Sequence, residues 1–284
     1  FILPQFSPTL PDTILKLTAT VLFIMGPLGT IINALSSLTK SNVAVSNIYN
    51  LEIQLDAARS NVVQTDELKT FQQFKQIELQ DIVFHYHNEQ GYNVFSVGPI
   101  NVRLNRGEIV FIVGGNGSGK STLLKLLVGL YFPTNGYLYV DDELIDPTNY
   151  QQYRELFSII FTDFHLFDRL YGLTDIDQQR LLALLRLMEL EKKTKYIEGK
   201  FTQLDLSTGQ RKRLALIIAL LEDKPIYIFD EWAADQDPVF RKYFYEVLLK
   251  DLKKQGKTII AVTHDDRYFA LADRVLKMDY GKLA

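Results

Sequence analysis

Nine consecutive residues, Gly114–Thr122 (GGNGSGKST), constrain this chain more than any other stretch. They fit G-x-x-x-x-G-K-[ST], with Gly114, Gly119, Lys120 and Ser121 at the fixed positions. Glycines at that spacing let the backbone curl, so that successive N–H groups along Gly115, Asn116, Gly117 and Ser118 face one concavity suited to phosphate oxygens. A helix predicted from Ser121 through Thr122 and onward adds the partial positive charge of its N-terminus. Lys120 supplies a mobile charge toward β- and γ-phosphates, and the Ser121 hydroxyl suits Mg²⁺. Glu108–Val113 (EIVFIV) reads as a buried strand directly ahead. Strand, loop and helix in that order make a chance glycine turn a poor alternative, and the pattern predicts a site for a nucleoside triphosphate.

The chain of 284 residues is long enough for one or two domains with a sizeable core. Its 47% hydrophobic and 23% charged content is that of a folded protein. A net charge of −3 with no long basic run gives no reason to expect nucleic acid as a partner. Cysteine is absent, which removes disulfides, thiolate catalysis and thiolate metal sites together.

Residues 1–12 carry Pro4, Pro8 and Pro11 and read as a loop. Between Lys16 and Lys40 lie 23 uncharged positions. As a helix they span roughly 35 Å, enough for a bilayer core of about 30 Å. Residues 13–40 are therefore expected to form one transmembrane helix with Pro27 in its middle, which membrane helices tolerate. A buried soluble helix is the alternative, since Asn33 and several Ser and Thr interrupt the run. Residues 41–75 are polar, with Ile48, Leu51, Leu55 and Ala58 at helical spacing, and are expected to continue that helix into water. From 76 to 284 the pattern becomes strands alternating with helices. That is an α/β fold with a mixed sheet and a parallel core. Strands are expected over 77–87, 93–104, 225–229 and 258–262, and a mostly helical subdomain over about 149–206.

Ile226–Phe229 is an apolar strand ending in Asp230 and Glu231. Ligands collect at the carboxyl ends of such strands. Asp230 suits Mg²⁺ alongside Ser121, and Glu231 suits a general base for an attacking water. Leu206–Gln210 (LSTGQ) opens another helix; Ser207 can donate to an anion and Gly209 lets backbone approach one, although Ser207 also fits an ordinary N-cap.

LSTGQ resembles the LSGGQ signature of ATP-binding cassette (ABC) proteins, departing at Thr208. With the phosphate loop, Asp230-Glu231 and His264, it makes four ordered motifs within 77–284. The resemblance implies a P-loop NTPase cassette with a helical subdomain. It implies ATP with Mg²⁺ as ligands and a second cassette, in a homodimer, whose signature (Ser207, Gly209, Gln210) covers the phosphate loop of the first. Three further roles are implied: Tyr86 stacking on adenine, His264 contacting the γ-phosphate, and Asp237 in the loop that communicates across the dimer. Tyr86 sits equally well as a core aromatic, since it shares strand parity with Phe84. Thr162 aligns where most ABC proteins carry a glutamine, and is too short to replace it directly.

DEWAADQDP, FTDFHLF and HDDRYF look like the bacterial cyclic-peptide and peptide-siderophore exporters. That subgroup also tends to lack the glutamine. The likeness implies export of a peptide-type substrate driven by ATP hydrolysis. It implies a multi-pass protein of the cytoplasmic membrane with its cassette in the cytosol, of which this chain matches the C-terminal half. It also implies membrane-spanning helices and lipid as partners. A lipid or drug cargo, a soluble ABC ATPase and a nucleotide-binding regulator are the alternatives. Glu231 and His264 speak against the last, and the long apolar run against the soluble one.

Overall fold

A computed structural model describes residues 10–59, 71–87, 92–173 and 175–284. The chain divides into two compact units, 1–63 and 64–284. In the first, α1 runs unbroken over Leu10–Arg59 with Pro27 inside it. It starts within the stretch expected to be a loop through residue 12, because Pro11 falls in a first turn, where proline is tolerated. Hydroxyls fold back on the helix: Thr18 Oγ1 donates to the Ile14 carbonyl at 2.8 Å and Thr30 Oγ1 to that of Pro27 at 2.6 Å. From Thr13 to Ile53 the helix is long and apolar enough to cross a membrane. Apart from Gly29, the described side chains of this run are exposed. The expected rod over 41–75 is helical to Arg59, and its stretch 60–70 lies outside the described residues. Phe71–Lys75 is a turn, not a rod, because Phe71 and Phe74 are buried in the core of the second unit.

That second unit opens with β1 (Gln76–His87) and β2 (Asn93–Asn105), an antiparallel pair, and passes through β3 (Ile109–Val113) into α2 (Lys120–Leu127). Then follow β4 (Asn135–Val140), β5 (Glu143–Leu144), α3 (Tyr150–Arg154), β6 (Phe157–Ile160) and α4 (Gln178–Leu187). A small hairpin, β7 (Tyr196–Ile197) and β8 (Lys200–Phe201), precedes α5 (Thr208–Glu222) and β9 (Ile226–Asp230). One long helix follows in three parts: α6 (Pro238–Tyr243), a π-turn over Phe244–Leu248, and α7 (Leu249–Lys254). Last come β10 (Thr258–Val262), β11 (Arg274–Asp279) and β12 (Lys282–Leu283).

Six strands form one sheet in the order β12-β11-β3-β10-β9-β6, parallel except for β12. Four others form an antiparallel sheet, β2-β1-β4-β5. Strand parity explains the unbroken apolar runs of β3, β9 and β10. Val110, Ile112, Ile228 and Ile260 point into a core shared with the antiparallel sheet, α2 and α3. Their neighbours Ile109, Phe111, Phe229 and Ala261 point into a second core under α5 and the long helix. Both faces are buried, so no polar alternation survives. Each fully buried large side chain contributes about 1.5–3 kcal/mol.

The mostly helical stretch expected over about 149–206 holds only two helices, α3 and α4, among its described residues. β6 lies within it and extends the parallel sheet beside β9. The reason is local: Phe157-Ser-Ile-Ile160 is a short apolar run, which periodicity cannot assign, and β-branched residues favour the strand. β11 was not expected at all.

Candidate nucleotide site

β3 delivers the chain into Gly114–Thr122 at the carboxyl end of the sheet. Gly114 has φ +150°, and a Cβ there would lie 2.2 Å from the Met278 carbonyl oxygen. Gly119, the N-cap of α2, has φ +98°. These two glycines are required by the backbone itself. The loop wraps an open cavity of about 600 Å³ lined by Tyr86, Phe95, Asn116–Thr122, Thr162 and Glu231.

Lys120 is buried, and its ammonium donates to the carbonyls of Gly114 and Gly115, both at 3.0 Å. It also lies 3.9 Å from Glu231 Oε1. His264 Nε2 approaches the same oxygen at 3.2 Å. Lysine, glutamate and histidine from three separate elements thus meet at one carboxylate oxygen on the rim of the cavity, which Lys120 and Glu231 line and His264 does not. Ser121 Oγ donates to Asp230 Oδ2 at 3.0 Å, and Thr162 Oγ1 donates to the Asp230 backbone carbonyl at 3.1 Å. Burial holds the Asp230 carboxyl above its usual range, the Ser121 hydrogen bond opposes this, and the nearby Glu231 charge adds to it.

Tyr86 is half-buried, between an aromatic cluster and the cavity. Its ring meets Phe84 edge-on at 5.0 Å and Tyr131 at 6.1 Å, while it also lines the cavity with its hydroxyl 3.2 Å from Thr122 Oγ1. Phe95 lines the same wall and was missed, since nothing in its own strand pattern separates it from a core residue.

Ser207, Gly209 and Gln210 do not line this cavity. They begin α5, where Ser207 and Gln210 form a reciprocal capping box. A Cβ on Gly209 would come within 2.7 Å of the Asp235 carbonyl oxygen. Asp237 caps α6, accepting from the amides of Val239 at 3.0 Å and Phe240 at 3.1 Å. The Phe240 amide and the Arg213 guanidinium, bonded to it, hold its carboxyl below the usual range against partial desolvation. Arg213 also lies over the Phe240 ring, 3.3 Å from its centroid. Arg213 and Lys212, charges on the first turns of α5 that would ordinarily face water, are both buried.

Among the described residues no cluster of three or more His, Cys, Asp or Glu forms a metal cage. The Ser121–Asp230 pair nevertheless suits Mg²⁺, which takes one or two protein oxygens and fills its shell with phosphate and water. Ser118 Oγ is buried in the loop without a hydrogen-bond partner, as befits a cradle for acceptor oxygens.

The ABC transporter family model matches residues 97–234. An energy-coupling factor transporter ATP-binding protein, EcfA1 of Mycoplasma mobile, is 31% identical over 77% of this chain and 81% of its own length. The chain belongs to the ABC transporter family. ATP-binding protein SyrD of Pseudomonas syringae pv. syringae is 41% identical over 99% of this chain, α1 included. That alignment spans 51% of SyrD, so the chain is about half as long as this ABC relative. A solved ATP-binding cassette, dimeric and bound to ADP and phosphate after hydrolysis, superposes with a TM-score of 0.61 at 25% identity, over 73% of this chain and 96% of that one. The ABC cassette fold expected from the motifs is the fold observed.

Proposed function

We propose that this chain is the ATP-binding and ATP-hydrolysing cassette of an exporter, with an attached membrane helix, driving a peptide-type cargo across the cytoplasmic membrane. The convergence of Lys120, Glu231 and His264 on the rim of a glycine-loop cavity carries the reading. Residues 13–40 span the bilayer, 41–75 connect in the cytosol, and 76–284 do the chemistry. ATP lies along Gly114–Thr122 with its base against Tyr86. Ser121 and Asp230 hold Mg²⁺, which neutralises charge on the phosphates. Glu231 takes a proton from the water that attacks the γ-phosphorus, the bond to the β-phosphate oxygen breaks, and ADP and phosphate leave. Lys120 and His264 hold the γ-phosphate oxygens before and during that step.

The signature residues lie away from this cavity, which supports their acting on the nucleotide of a second copy. The dimeric relative with ADP and phosphate supports the same arrangement. The peptide cargo is supported by the resemblance that DEWAADQDP, FTDFHLF and HDDRYF carry. Phosphate release tests the chemistry. The wild-type chain with Mg·ATP is expected to release phosphate steadily, Lys120→Ala to lose nucleotide binding, and Glu231→Gln to retain ATP without turnover. Equal phosphate release from Glu231→Gln and wild type would remove Glu231 from its role.

A further inference from the structure

Lys212 is 1% exposed, the most deeply buried charged side chain among the described residues. Lysine is rarely buried so completely unless its ammonium is paired. Here it donates to the Glu231 backbone carbonyl at 2.7 Å and pairs with Asp235 Oδ2 at 2.6 Å. Glu231 is a non-glycine residue in the left-handed region, at φ 51° and ψ 35°. A side chain there is held only if its surroundings over-determine the backbone. The same carbonyl also accepts from the Ala234 amide at 3.3 Å, and the Glu231 amide donates to Val262 at 3.2 Å. The Lys212 contact is the shortest of these and the only one of the three from a charged donor, so it is the strongest.

The bond is part of a wider fastening. Trp232 Nε1 donates to the Lys212 carbonyl at 2.8 Å, and Gln236 Nε2 to the Gly209 carbonyl at 3.2 Å. Residues 231–236 are thereby pinned to the first turns of α5. In the left-handed turn the Glu231 carboxylate faces His264 and Lys120. If the carbonyl were free to rotate, the side chain would leave that rim.

We infer that Lys212 is a positioning residue: it fixes the left-handed backbone of Glu231, and through it the aim of the general base, from the helix that begins with the signature. This rests on the reading of Glu231 as general base. A movement of α5 when a second copy docks would then reach Glu231 of the same chain directly through Lys212, with Trp232 and Gln236 fastening the residues that follow.

The test uses the full chain in detergent micelles, measuring phosphate release against ATP concentration, nucleotide affinity and thermal melting. Lys212→Met keeps the stem and removes the donor. Its kcat is expected to fall at least tenfold, while KM and ATP affinity stay within twofold of wild type, since the phosphate loop is untouched. Lys212→Arg is expected to recover a substantial part of kcat. A purely structural role predicts a lower melting temperature with kcat unchanged at temperatures where the variant is folded, and that result overturns the inference. If Lys212→Met does not melt cooperatively, Lys212→Gln replaces it, with the same expected split and the same contrary result. An inactive wild type would instead overturn the ATPase reading. An active wild type, an inactive Glu231→Gln and a fully active Lys212→Met would overturn the role of Lys212 alone.

Discussion

Ser121 and Asp230 stand 109 positions apart in the chain and share a 3.0 Å hydrogen bond at the end of the parallel sheet. The sheet brings them together: β3 leads into the loop that carries Ser121, β9 ends in Asp230, and β10 runs between the two strands. The two oxygens are presented from rigid elements, as a Mg²⁺ site on a P-loop fold needs.

Asp230 and Asp237 give opposite pH signatures. Burial raises the folded pKa of Asp230, so the native state binds its proton more tightly than the unfolded state does. Stability is therefore lost as pH rises through the interval between the unfolded and folded values. Asp230→Asn is expected to raise the nucleotide-free melting temperature at pH 7, with the gain vanishing below the ordinary carboxylate range. Asp237 has a lowered folded pKa, so its contribution is present above the unfolded value and is lost as pH falls through the folded one. Asp237→Asn keeps a capping oxygen but is expected to melt slightly lower at pH 7, with the difference fading in acid. Melting curves from pH 3 to 8 check both signs.

Two adjacent glycines are expected to differ. An alanine at Gly114 meets the Met278 carbonyl oxygen at 2.2 Å in a backbone region that disfavours side chains, whereas a Cβ at Gly115 meets nothing within 4 Å. Gly114→Ala is expected to destabilise by at least about 2 kcal/mol and Gly115→Ala by no more than about 0.5 kcal/mol. Urea unfolding separates them.

Arg213 bonds Gln236 Oε1 at 3.0 Å, pairs with Asp237 and covers the Phe240 ring. A lysine ammonium cannot reproduce a planar fork that also stacks. Arg213→Lys is expected to cost about 1–2 kcal/mol in thermal or urea unfolding.

Helix α1 exposes Leu22, Phe23 and Ile24 near the middle of its apolar run. Ile24→Arg places a charge where insertion disfavours it by about 2.5–3.5 kcal/mol. Carbonate extraction is expected to leave the wild-type chain in the membrane pellet and to shift much of the variant to the supernatant. Equal partition of the two would argue against a spanning helix.

The strand–loop–helix at Glu108–Leu127 and the β9 strand ending in Asp230 and Glu231 were legible because each pairs an apolar run with chemistry that tolerates few substitutes. β6 was not, because four residues, three of them apolar, are too short a run to carry a period. β11 (RVLKMD) was not, because its alternation in burial is shallow and its partner, β3, is more than 160 positions away. The site divided in the same way. Lys120, Ser121 and Glu231 line one cavity, and Gly114, Asp230 and His264 each contact one of them. Tyr86 packs against Phe84 and Tyr131 and also lines the cavity. Lys212 escaped notice because a charge on a helix ordinarily faces water, and only the fold shows it enclosed beneath Glu231.

The central claim is that one chain carries half of a composite ATPase site. Sedimentation of Glu231→Gln with and without Mg·ATP tests it most directly. The account predicts a nucleotide-dependent dimer that is abolished when Ser207→Arg is added. A species that stays monomeric with bound ATP, or a dimer that Ser207→Arg leaves intact, would contradict it.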